Sequence, residues 1–239
     1  MDTGAETPVT VTTTPPARPS GPGDSTRVLL RPLATPLPLG FLALAVATLS
    51  FAAAQLGWVP ASEGRTVALG VMVLTVPLQL LAAVMGFLAR DPVAATGMAI
   101  LSGTWGAVCL STLTSPPGAH SPGLGILLVA SATCLLVPAA AATSKLVPAL
   151  VIATSATRFA VTGVAHLDGG QTWMHVAGWV GVVLAALSLY AALALELEGA
   201  RSRTVLPLGR RGPGREALTG DLRVQTAHVD TEPGVRQQL

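Results

Sequence analysis

The chain has 239 residues, of which 51% are apolar and only 11% are charged. Soluble domains carry roughly a quarter charged residues, and here the few charges gather at the ends: residues 1–31 hold 6, residues 196–239 hold 13, and the 164 residues from Pro32 to Leu195 hold 7. A middle section of that kind cannot solvate the surface of a soluble globule, and its Leu, Val and Ala content excludes disorder. The net charge of +2, with no basic stripe interleaved with aromatics, excludes a nucleic-acid binder.

Residues 1–31 are rich in Thr, Pro, Gly and Ser and are expected to form a disordered tail. They do not read as a signal peptide, because Asp2 and Glu6 come early and no apolar stretch follows a basic start. Residues 32–195 then read as a transmembrane domain. They hold six apolar runs near 39–59, 66–89, 93–113, 124–144, 146–167 and 173–195. Each is about 20 residues, which at 1.5 Å per residue spans a bilayer core of about 30 Å. The gaps hold breakers and charges, among them Pro60, Arg90-Asp91-Pro92 and Pro116-Pro117-Gly118. Residues 196–239 read as a polar, Arg-rich tail. The expected fold is an all-α integral membrane protein, a six-helix bundle. Cys109 and Cys134 both fall inside the spans, which argues against a disulfide framework.

The basic residues orient the bundle. With both termini cytoplasmic, 12 of the 14 Lys and Arg fall on the inside, Arg65 lies outside, and Arg158 sits within the fifth span. That is the asymmetry of the positive-inside rule, and Trp58 and Trp173 then fall at the outer interface. Small residues recur every fourth position at Ala95, Ala99, Gly103 and Ala107, and again at Ala177, Gly181 and Ala185. Such ridges let helices approach closely in lipid.

Enzyme motifs are absent: there is no phosphate loop, no Gly-x-Ser-x-Gly elbow and no His-Glu-x-x-His helix. The four histidines do not cluster with other ligands at metal spacing, so neither a metal nor a cofactor is expected. Arg158 carries the most information. It lies 11 residues beyond Val147, about 16 Å into the bilayer, where a charge must face protein or water. Thr154, Arg158, Thr162 and His166 follow at intervals of four and share a polar stripe, with Ser155 beside them. One reading is a pore wall whose guanidinium attracts a small anion. The other is an arginine that binds carbonyls freed by a kink and fixes packing. Gln79, two residues after Pro77, either lines the same path or bonds backbone near the break. Thr96, Ser102 and Thr104 are weaker hydroxyl candidates, and His175 is a weak candidate for taking up protons.

Three motifs suggest a family. Thr35-Pro36-Leu37-Pro38-Leu39-Gly40-Phe41 resembles the Asn-Pro-Ala-Pro-Leu-Gly-Leu signature of the acetate uptake transporter family. His175-Val176-Ala177-Gly178-Trp179-Val180-Gly181 is similar to that family's His-Phe-Ala-Gly-Trp-Ile-Gly stretch, and Arg203-Thr204-Val205-Leu206-Pro207-Leu208-Gly209 to its Arg-Thr-Val-Leu-Pro-Ile-Gly ending. The resemblance implies a six-helix protomer, often in a homohexameric ring, that moves acetate and sometimes succinate, with protons. It also implies that Thr35, Pro36, Pro38 and Gly40 border the permeation path. The signature Asn is Thr35 here, Gly86 stands where the family has a Glu, and Arg158 is an added charge.

The function expected is a plasma-membrane transporter or channel for small monocarboxylates, coupled to protons, with a pore through each protomer. The path residues are Thr35, Pro36, Pro38, Gly40, Gln79, Thr154, Arg158 and Thr162, with His175 for protons. The expected partners are the lipid bilayer, a small carboxylate anion, protons and further copies of the chain. Two alternatives stand beside it: a non-transporting sensor or scaffold of the same fold, and a passive channel for a small neutral solute.

Overall fold

Proline and polar caps set where the helices begin. The computed structural model describes residues 34–142, 144–201, 203–212 and 215, so the N-terminal tail and the far C-terminus lie outside the described residues. Six helices follow in order: α1 (Leu37–Gln55), α2 (Gly64–Leu88), α3 (Pro92–Thr114), α4 (Pro122–Ala141), α5 (Leu146–Asp168) and α6 (Gln171–Arg201). Proline stands in the first turn of α1, α3 and α4, where its missing N–H costs nothing. Asp91 and Ser121 cap α3 and α4 by accepting from the backbone N–H of Ala94 (3.0 Å) and Leu124 (3.3 Å). All six helices are long and apolar enough to cross a membrane. The chain is an all-α, multi-pass membrane protein.

Each helix packs against its neighbours in sequence, and α6 closes back onto α1, so the six form a ring. The apolar windows of α1, α3 and α5 are 56%, 56% and 50% buried, that of α6 is 44%, and those of α2 and α4 are 33%, so α2 and α4 are the most peripheral helices. Phe51 of α1, Trp105 of α3 and Phe159 of α5 meet across that interior, with ring centroids 5.4 and 5.5 Å apart. The outer faces of α2 and α4 carry exposed Val73, Phe87, Ile126 and Val137, suited to contact with lipid.

Helix contacts follow small residues, as the four-residue spacing implies, but not at every position. Ala177, Gly181 and Ala185 are buried along α6, and Ala95 is buried against Gly86 of α2. Gly103 is exposed with no side chain or backbone near it. α4 and α5 cross backbone to backbone: a β-carbon on Gly125 would come within 2.9 Å of the Gly163 carbonyl oxygen, and one on Gly163 within 2.8 Å of the Gly125 oxygen. Pro77 lies inside α2, which stays continuous through it; beside it Thr75 donates to the Ala43 carbonyl (3.0 Å) and Ser102 to that of Val76 (2.9 Å).

Several helix limits differ from the apolar runs. α1 stops at Gln55 because Gly57, with φ of 71°, turns the chain out, so Trp58 lies beyond the helix and meets Trp179 edge-on at 6.2 Å. α6 does not end with the apolar run at Leu195 but continues to Arg201, 31 residues in all. Its extension is held by the segment 203–212, which folds back as a strap. Gly209 and Leu208 offer carbonyls to the backbone N–H groups of Leu146 (3.2 Å) and Val147 (3.1 Å), and Arg211 N–H donates to Ser144 (2.9 Å). These bonds cap α5, whose N-cap residue Lys145 makes no side-chain cap. Arg210 ion-pairs with Glu198, Tyr190 donates to the Pro207 carbonyl (2.9 Å), and Leu208 is buried. The polar tail expected from residue 196 therefore begins with ordered, packed structure.

Candidate functional site

The connections after α1, α3 and α5 meet at one end of the ring, and a cavity of about 290 Å³ opens among them. Its rim holds Arg65, the Pro116–His120 loop and Gln171, all exposed. Its floor is formed by Trp105, Leu128, Arg158 and Phe159, all buried. The vestibule thus runs from the bundle's surface to the middle of α5. Among the described residues, Arg65, His120, Arg158 and His166 of its lining can carry positive charge, and no Asp or Glu lines it.

Arg158 is 1% exposed. Its Nη2 donates to Oε1 of Gln55 on α1 at 3.3 Å, and its Cζ lies 5.6 Å from the Trp105 ring centroid, within cation–π range. Its Nη1 is buried without an acceptor, and among the described residues no carboxylate pairs with it. Nη1 rests where a β-carbon on Gly181 of α6 would stand, so α6 admits the guanidinium only because residue 181 is glycine. A cation at that depth with one neutral acceptor is electrostatically undercompensated, and a small anion is the natural complement.

The polar stripe on α5 reaches the cavity in part. Thr162 lines it, with its hydroxyl donating to the Arg158 carbonyl at 2.8 Å. His166 lines it higher up; its Nδ1 accepts from the Ser121 backbone N–H at 3.3 Å, and its ring meets His120 at 6.0 Å. Thr154 does not line it. It sits one turn below Arg158, beneath the floor, and is half-buried. Ser155 is spent on its own helix, donating to Val151 at 2.8 Å.

The other predicted residues stand apart from this cavity. Gln79 is fully buried on α2 and both its amide atoms lack partners, yet it lies outside the lining. Thr35 is exposed; Pro36 and Pro38 are buried at the start of α1, at the opposite end of the bundle. Gly40 permits α3 to approach, since a β-carbon there would overlap the Met98 side chain. His175 is exposed on α6, bonded to the Gln171 carbonyl at 3.1 Å, and does not face the vestibule. Thr96 and Thr104 donate to carbonyls of α3 itself, each at 2.7 Å. The sequence reading missed Gln55, Trp105 and His120. Gln55 could have been found as a polar residue closing an apolar span; Trp105 reads as core, and His120 as loop.

No protein-family model matches the sequence, and no curated protein matches it. The fold is similar to the solved structure of the bacterial acetate channel SatP, with a TM-score of 0.63 and 22% identity, over 74% of this chain and 99% of that one. At that identity the likeness is one of architecture, so the chain has the six-helix fold of that channel and carries its own vestibule within it.

Proposed function

We propose that this chain is a plasma-membrane channel or transporter for small monocarboxylates of the acetate type, and that Arg158 draws the anion to the floor of the vestibule. The observation that carries this reading is the fully buried guanidinium, with no carboxylate paired to it among the described residues, at the floor of a cavity whose described lining holds Arg65, His120 and His166 and no Asp or Glu. At about 290 Å³ the cavity lies at the small end of ligand pockets, which suits a short acid. The likeness in fold to an acetate channel points the same way.

Orientation, coupling and assembly belong to the same proposal. The end of the bundle opposite the vestibule carries Arg90, Lys145 and the basic residues after α6, whereas the vestibule end carries Arg65 alone among loop Lys and Arg. That distribution favours cytoplasmic termini and a vestibule open to the outside. Proton coupling is part of the same reading, and the gradient arm of the uptake assay below tests it; His120 and His166 are the imidazoles on the vestibule wall. The exposed apolar faces of α2 and α4 are available to lipid and to neighbouring copies in a homohexameric ring.

Uptake of labelled acetate into proteoliposomes, with and without an inward proton gradient, tests the reading. Saturable uptake is expected, and Arg158→Leu should abolish it while leaving the fold intact. Absence of saturable flux for every short carboxylate would overturn the proposal.

A further inference from the structure

Trp105 is 2% exposed and lines the vestibule floor, yet its indole N–H is buried with no acceptor among the described residues. Buried tryptophans almost always give that hydrogen to a partner. The ring has no freedom to carry it elsewhere, because Phe51 packs at 5.4 Å on one side and Phe159 at 5.5 Å on another. Beside it stands the Arg158 guanidinium, whose Nη1 is also unpartnered. Two neighbouring residues that line the cavity floor therefore each hold a buried donor without an acceptor, the guanidinium Nη1 from the notch at Gly181.

The surrounding walls do not supply them. The Gln55 side-chain oxygen already accepts from Arg158, and no carboxylate lines the cavity among the described residues. What fits is a ligand with acceptors only and at least two of them. A carboxylate has two oxygens that accept and none that donates. The rest of the floor is apolar, with Phe51, Leu128 and Phe159 facing the same space, so the group attached to that carboxylate is a short hydrocarbon.

We infer that Trp105 and Arg158 together form the carboxylate seat of the vestibule, the indole N–H holding one oxygen and the guanidinium the other. The seat rests on the monocarboxylate reading above and adds a residue that sets affinity and selectivity. A neutral solute of the same size, or a spherical anion without an apolar tail, gains less from it. Trp105 is then a ligand of the substrate, and its ring is the wall that orients the acid.

The test removes the N–H and keeps the ring. In proteoliposomes, Trp105→Phe should raise the half-saturating acetate concentration about tenfold or more, the ordinary effect of losing a hydrogen bond to a charged partner, with a smaller change in maximal rate. Benzothienylalanine incorporated at position 105 replaces N–H by sulfur at nearly the same shape, and should give the same shift even if Trp105→Phe folds poorly. Both replacements should also weaken the acetate-induced rise in Tm of the detergent-solubilised protein. Saturable wild-type uptake with an unchanged half-saturating concentration in the benzothienyl protein would overturn the seat and leave the transport reading standing. A wild-type protein that neither transports nor is stabilised by any short carboxylate would overturn both.

Discussion

The guanidinium of Arg158 occupies the space that a β-carbon on Gly181 would fill. α5 and α6 are thereby matched at one point, a charged side chain on one and a missing side chain on the other. The Gly181 carbonyl is held in turn by the Thr48 hydroxyl of α1 at 3.4 Å, so α6 is tied to α1 at the notch. Gly181→Ala must expel the guanidinium or push α6 outward, and overpacking of this kind costs about 1–3 kcal/mol. Thermal unfolding in detergent should show a lowered Tm, and acetate flux should fall with it. In an Arg158→Ala background the same change should cost clearly less, with the Ala52 β-carbon at 3.0 Å the tight contact that remains. Additive losses in the double variant would mean that the two residues do not compete for the space.

Gln55 supplies the one hydrogen-bond acceptor that Arg158 has among the described residues. Gln55→Leu leaves another guanidinium N–H unsatisfied and should destabilise the protein by about 1–3 kcal/mol. Gln55→Glu should act in the opposite way, raising the Tm by placing a carboxylate against a buried, unpaired cation. The same charge neutralises the site for anions, so acetate flux should drop. A gain in stability joined to a loss of transport separates a substrate-attracting arginine from a structural one. If Gln55→Glu transports as well as the wild type, Arg158 does not bind the anion.

The architecture was legible because the bilayer imposes it: six runs of about 20 apolar residues leave few other folds. Arg158 was legible for the same reason, as a charge with no loop to occupy. The limits of the stripe were not. Residues four apart on a helix drift around it and climb a turn each, so Thr162 and His166 reach the vestibule above Arg158 while Thr154 falls beneath the floor. Trp105 and Gln55 approach Arg158 from α3 and α1, and no spacing within a single helix encodes such a meeting. The strap was hidden by its composition. Residues 203–212 set a short apolar stretch, 205–208, between arginines and glycines, and only the uncapped start of α5 asks for what they provide.

Lys145 sits where the strap meets α5, paired across the backbone with Arg210. Burial, reinforced by Arg210, holds its ammonium below the ordinary lysine value of 10.5, against the opposing pull of Asp91 and Glu198. The unfolded chain therefore binds more protons than the folded one between that lowered value and 10.5, and folding stability rises with pH across the window. Thermal unfolding followed from neutral pH upward should show this rise in the wild type. Lys145→Gln should show a flatter profile over the same range, because the group that releases its proton is gone. Parallel profiles for the two proteins would remove Lys145 as the cause.

The strap makes the last prediction one of position along the tail. Truncation after Arg215 keeps every described strap contact and should leave both Tm and acetate flux at wild-type values. Truncation after Arg203 removes the Leu208 and Gly209 carbonyls that cap α5, and it leaves Glu198 without Arg210. It also exposes the site of Leu208, whose burial alone contributes about 1.5–3 kcal/mol. The shorter protein should melt several degrees lower, and Glu198 should become a buried acid lacking its partner. Adding Glu198→Gln to that truncation should recover part of the loss, whereas in the full chain Glu198→Gln should destabilise by breaking the pair. A truncation after Arg203 as stable as the full chain would show that the strap lies on the bundle without holding it.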